Sequence, residues 1–189
     1  IAVGIAKAGA DIIDLSGYDA GTGAARKHAL QHVGLPIEIG VVQAHRALVE
    51  AGIRNKVELW CDGGMKTGED VVKMVLLGAN RVGFASMAMA AIGCITCRGC
   101  NQGKCPVGIS TQIKTVEEAR QKGLRHFAPL DFDTAVMWLQ SYFEAVAQEV
   151  RLLTASLGAE KLQDLVGRAD LLEQVQAQEK IDLSAMLQA

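Results

Sequence analysis

The chain has 189 residues, with 19 Lys+Arg against 21 Asp+Glu for a formal net charge of −2, and half of its residues are hydrophobic. That length suits one domain with a little to spare, and the composition supports a buried core rather than a disordered chain. The near-neutral balance gives no basic field for nucleic acid or an anionic membrane, and 4% aromatics leave few base-stacking platforms, so both partner classes are excluded.

The first residue is Ile1 rather than Met, and Ile1–Ala8 reads as the inside of a helix closed by Gly9, so a fragment of a longer protein is expected. No basic-then-apolar leader opens the chain. The uncharged stretch Val82–Cys97 is short for a membrane span and broken by Gly83, Ser86, Gly93 and Thr96, so a cytoplasmic protein is expected. Asp11–Leu15 (DIIDL) is the first predicted strand, ended by the turn-rich run Ser16–Gly23. A helix is expected over about Ile39–Ala51, with Gly52 just past its end as a C-cap. Val57–Cys61 is the second strand, followed at once by Asp62-Gly63-Gly64. The next helix begins at Thr67, whose hydroxyl can cap it with Asp70 as capping-box partner, and stops at Gly78. Arg81–Ala85 is the third strand.

Strand, loop, helix and strand at this spacing mark parallel βα units. The predicted fold is α/β: the C-terminal part of a (β/α)8 TIM barrel, about three units, since a whole barrel needs about 250 residues. Unpaired strand edges would make such a piece poorly soluble and inactive on its own. Beyond the barrel part, Thr111–Arg125 is polar and reads as a short helix and loop. Asp133 is expected to cap a long helix over about Thr134–Leu157, ended by Gly158. Its apolar residues Val136, Leu139, Phe143, Val146, Val150, Leu153 and Leu157 form one stripe, suited to packing on the barrel's outer wall; a coiled coil is the weaker reading, with only about three heptads available. The predicted organisation is 1–110 for the barrel part, including a cysteine-rich loop at 92–108, and 111–189 for a helical extension.

Three constellations carry chemistry. Asp62-Gly63-Gly64 and Gly83-Phe84-Ala85-Ser86 each follow a strand, and in (β/α) barrels a phosphate often sits where the last strand ends meet a helix N-terminus. Glycine suits that place because a side chain would hold the anion away from backbone N–H groups; tight βα turns are the plainer reading. Gly17-Tyr18-Asp19-Ala20-Gly21-Thr22-Gly23 also follows a strand, without G-x-G-x-x-G spacing, and reads either as a loop giving its backbone to a ligand or as a flexible turn. Cys94, Cys97, Cys100 and Cys105 crowd into twelve positions, which points to metal rather than a disulfide scaffold. Thiolates at this density suit an iron–sulfur cluster, with zinc as the rival; a cluster directly after a phosphate site favours redox work. His28 and His32 share a helix face that reads as solvated, Cys61 reads as a small buried hydrophobe and His45 as structural.

The residues SGYDAGTGA (Ser16–Ala24), GLPIEIG (Gly34–Gly40), DGGMKTGEDVVKMVLLGA (Asp62–Ala79), VGFAS (Val82–Ser86), the cysteine run Ile92–Thr111 and LVGRADLL (Leu165–Leu172) give the chain its likeness to a known family. It resembles the FMN- and iron–sulfur-binding synthase domain of the large subunit of glutamate synthase. The resemblance implies a three-iron, four-sulfur cluster on Cys94, Cys100 and Cys105. It places the FMN phosphate on Asp62, Gly63, Gly64, Gly83, Phe84 and Ala85, with Gly21, Thr22 and Gly23 lining the mouth. The implied reaction is reductive amination: ammonia from a glutaminase domain reaches 2-oxoglutarate, and the imine takes a hydride from reduced FMN to give glutamate. Electrons would come from an NADPH-oxidising subunit or from ferredoxin. Cys97 is an additional thiol that would permit a four-iron cluster; Ala20 and the stretch Ala25–Ala29 depart from the family pattern. The 2-oxoglutarate-binding residues are expected upstream of Ile1, so no catalytic side chain is assigned. Two alternatives remain: a similar FMN oxidoreductase with another substrate, and a non-redox phosphate-binding barrel with a structural zinc loop.

Overall fold

Apolar residues at alternate positions build the sheet. The computed structural model describes residues 1–20, 27–111 and 113–188. In chain order these form α1 (Ala2–Lys7), β1 (Ile12–Ser16), α2 (Lys27–His32), α3 (Ile37–Glu50), β2 (Glu58–Asp62), α4 (Gly68–Leu76), β3 (Arg81–Gly83), α5 (Ser86–Ala91), α6 (Val116–Gln121), α7 (Phe132–Ser156) and α8 (Ser184–Leu187). The three strands make one parallel sheet in the order β1-β2-β3. Its register sets Ile13 beside Leu59, Leu15 beside Cys61 and Cys61 beside Val82, so the apolar residues line up in rows. Ile13 and Leu59 pack on Ala44 and Leu48 of α3, and Leu15, Cys61 and Val82 pack with Val41, Val42 and Met74.

The helix after β2 begins as its sequence dictates. The Thr67 hydroxyl accepts the Asp70 N–H, and the Asp70 carboxylate accepts the Thr67 N–H, completing the expected capping box. The third strand stops at Gly83, two residues short of expectation, because ladder pairing ends at Asp62–Gly83 and α5 starts at Ser86. The long helix differs at its start. Asp131, not Asp133, is the N-cap, accepting the Thr134 N–H at 3.0 Å. Asp133 lies inside the first turn, where a carboxylate still favours the helix dipole.

The apolar stripe of α7 is used unevenly. Its second half, with Val150, Leu153 and Leu157, packs on Val72, Val75 and Leu76 of α4. In its first half Val136 remains exposed. The segment after α7 returns to the same helix: Leu165 is buried against α4, Ala169 is buried in the sheet-side core, and the Gly167 N–H donates to the Val75 carbonyl at 3.0 Å. Among the described residues no helix is long and apolar enough to cross a membrane.

Candidate functional site

The parallel strands end at one edge, which gathers Ser16-Gly17, Asp62-Gly63-Gly64 and Gly83-Phe84-Ala85. The Ser16 hydroxyl donates to Asp62 Oδ1 at 2.6 Å, and the Gly17 N–H donates to the Asp62 carbonyl at 3.0 Å. Gly63 and Gly64 both have positive φ, 135° and 75°, a backbone that side-chain-bearing residues rarely adopt. Around them the packing is close: a Cβ on Gly63 would lie 3.4 Å from Gly17, one on Gly64 3.2 Å from the Asp19 carboxylate, and one on Gly83 3.2 Å from Asp62 Cβ. The Phe84 ring packs edge-on against Tyr142 and Phe143 of α7, with centroids 6.1 and 5.6 Å away. Its side chain is thus partly buried between the sheet-side core and α7. Gly21, Thr22 and Gly23 lie outside the described residues.

The helices that leave this edge have different N-termini, and α3 begins at Ile37, close against Gly17, with no side-chain cap. That of α4 is filled: Thr67 and Asp70 cap it, and Glu149 Oε2 from α7 accepts the Gly68 N–H at 2.6 Å. That of α5 follows Ala85, which has no side-chain acceptor to offer. Backbone N–H groups of a first turn attract anions when nothing else occupies them. Among the described residues, the Gly83–Ala85 main chain beside the Gly63-Gly64 turn is therefore more open to an anion than the α4 N-terminus. The small backbone there has the chemistry to hold a phosphate group.

The cysteine loop follows α5. Cys105 is buried; burial pushes its thiol up, but the N–H groups of Ser110, Val107 and Ile109 with the Ser110 hydroxyl outweigh that and hold it below its ordinary value. Such a ring of donors stabilises a thiolate, the form that binds metal. Cys94 Sγ accepts the Thr96 N–H at 3.4 Å, and Cys97 and Cys100 are exposed. The donor chemistry therefore suits iron and sulfide. The geometry does not yet complete it: among the described residues no three His, Cys, Asp or Glu side chains converge as a metal site. Beside the loop, Ile95, Val107, Val116, Arg120, Arg125 and His126 line an open cleft of about 490 Å³.

The remaining sequence candidates are structural. Cys61 is 1% exposed, and burial, with Asp62, Asp14 and Glu38 nearby, pushes its thiol up to about 12, which leaves it inert. His28 and His32 are exposed. His45 accepts a hydrogen bond from Arg54 Nε at 3.0 Å, and Arg54 also reaches the Val57 and Gly78 carbonyls and Asn80 Oδ1. Sequence reading missed Ser16, Tyr142 and Glu149. The latter two lie in α7, seven residues apart on one helix face, a spacing masked by the stronger apolar stripe.

Residues 1–160 match the family described as the conserved region in glutamate synthase. The chain is 46% identical over 173 residues to ferredoxin-dependent glutamate synthase 2 of Synechocystis sp., covering 92% of this chain and 10% of that protein. It is 44% identical over 172 residues to the ferredoxin-dependent glutamate synthase of Cyanidium caldarium, covering 91% of the chain and 10% of the relative. Against the glutamate synthase [NADPH] large chain of Bacillus subtilis it is 42% identical over 172 residues, with the same two coverages. The chain thus spans about a tenth of the length of the curated relatives it matches. A family match over residues 1–160, joined to the glycine-bearing strand ends and the thiol loop, places this chain in the glutamate synthase family.

Proposed function

We propose that this chain forms the C-terminal part of a (β/α)8 synthase barrel, residues 1–110 with its cysteine loop at 92–108, and a helical extension over 111–189. The activity it serves is the reductive transfer of glutamine-derived ammonia to 2-oxoglutarate, giving glutamate. FMN, when bound, supplies the hydride, and an iron–sulfur cluster supplies one-electron transfer. The residues of this chain bind and orient. Gly63, Gly64, Gly83 and Ala85 present main chain to the phosphate, Phe84 anchors that loop inward, and Asp62 is held in place by Ser16. Gly21, Thr22 and Gly23 complete the FMN-binding set by the family resemblance. Cys94, Cys100 and Cys105 are the cluster ligands, Cys105 being the best prepared as a thiolate.

One observation carries the reading: among the described residues the α4 N-terminus is closed by Glu149 and its capping box, whereas α5, like α3, has no side-chain cap and begins beside Gly63, Gly64 and Gly83. The stretch 94–128 that contains the thiol loop carries six lysines and arginines against two glutamates, a balance that suits an acidic electron donor such as ferredoxin. The test is the complete protein, purified without oxygen. Heat-released FMN, iron and sulfide are expected, with Cys94→Ala, Cys100→Ala and Cys105→Ala each losing iron. A colourless, zinc-containing protein sinks the redox reading. Low-temperature electron paramagnetic resonance of the oxidised protein decides the role of Cys97: a three-iron signal that persists with added iron removes it from the ligand set.

A further inference from the structure

The loop that follows β2 is held from two directions. On the sheet side Gly63 and Gly64 rest against Gly17 and Asp19. On the other side it meets α7, more than seventy residues later in the chain. Tyr142 donates its hydroxyl to the Lys66 carbonyl at 2.7 Å, and Glu149, two turns on, accepts the Gly68 N–H at 2.6 Å. The approach at Gly68 leaves no room for a side chain: a Cβ there would lie 2.8 Å from Glu149 Cβ and 2.9 Å from the Val146 carbonyl. The same Tyr142 ring touches Phe84, in the loop after β3, and Phe143 closes the aromatic group at 5.1 Å from Tyr142. A single turn of α7 therefore grips both strand-end loops.

We propose that Tyr142 and Glu149 are positioning residues for the anion pocket, setting the distance between the Gly63-Gly64 turn and Gly83–Ala85 from behind. The inference rests on the flavin reading above and adds to it the part of the chain that enforces the geometry. Backbone N–H groups bind an anion well only when their spacing is fixed beforehand, since ordering a loose loop costs binding free energy. Tyr142 meets the Phe84 ring and the Lys66 carbonyl, and Glu149 meets the Gly68 N–H, so each acts through the segment it holds. Burial, and the Asp70 carboxylate nearby, push the Tyr142 phenol up, so it stays a hydrogen-bond donor through the working pH range.

The experiment titrates FMN into the flavin-free complete protein and follows quenching of flavin fluorescence. Tyr142→Phe keeps the ring packing on Phe84 and removes only the hydroxyl. It is expected to weaken FMN about fivefold to tenfold while the flavin-free protein melts where the parent does. Glu149→Ala is expected to weaken FMN at least as much, and Glu149→Gln to restore it, because the amide oxygen still accepts the Gly68 N–H. Leu152→Ala, on the exposed side of α7, serves as the control and binds FMN as the parent does. A Tyr142→Phe or Glu149→Ala protein that holds FMN within about twofold of the parent overturns the proposal. A parent protein that takes up no FMN overturns the flavin reading instead, so the two failures are told apart.

Discussion

His45 shows how a single side chain can tie distant segments together. Its Nδ1 accepts from Arg54 Nε at 3.0 Å, and two glycines pack against the ring. A Cβ at Gly78 would run into the ring, and one at Gly167 would lie 2.7 Å from Nε2. Burial first, then the positive charges of Arg54 and Arg46, hold the imidazole below its ordinary value of 6.5, with a hydrogen bond to the Gly78 main chain opposing them in part. The folded state therefore binds this proton less readily than the unfolded state. The stability His45 contributes is complete above about pH 6.5 and is lost as pH falls through the lowered folded value. Hydrogen exchange of residues 162–172, corrected for the intrinsic rate, should speed up between about pH 7.5 and about pH 5.5 in the parent. It should stay level in His45→Gln; equal pH response in both proteins would remove His45 as the cause.

At the scale of elements, α4 is the hinge of the site. It carries buried Val72, Met74, Val75 and Leu76, a sheet-facing and an α7-facing surface at once. Its N-terminus receives two carboxylates, from Asp70 and Glu149. Removing the Thr67 hydroxyl leaves the Asp70 N–H without its acceptor, and Thr67→Ala is expected to cost about 1 kcal/mol. The checking measurement is the denaturant midpoint, with Thr67→Ser as the variant that retains the cap. Equal midpoints for the Ala and Ser variants would show that the box contributes nothing.

Charge is distributed unevenly over the whole molecule. The chain is net −2, yet the stretch 94–128 is net +4, with six lysines and arginines against two glutamates, leaving the rest negative. An acidic carrier approaching such a surface is steered to the positive side, and salt screens that attraction within roughly 10 Å at 0.1 M. If the proposed donor is ferredoxin, its electron delivery to the complete protein should slow several-fold between about 0.05 M and about 0.3 M salt. Arg120→Glu with Arg125→Glu should lower the low-salt rate and flatten the dependence. A rate indifferent to both salt and these substitutions would place the donor elsewhere.

Local order was legible because it depends on neighbours in sequence. DIIDL and VELWC alternate in the period of a strand, and Thr67 and Asp70 stand at capping-box spacing. The start of the long helix was misjudged by two residues because Asp131 and Asp133 are equally good caps in sequence, and only the backbone selects Asp131. The family itself was readable from the motifs, since glycine and cysteine spacings record what a backbone must do around a ligand. What only the tertiary structure decided is what closes the N-terminus of α4. Glu149 lies 81 residues from the Gly68 N–H it occupies, and Tyr142 lies 76 from the Lys66 carbonyl it holds. No local pattern encodes contacts at that separation; they exist because the apolar stripe of α7 packs on α4 and carries those polar groups into place.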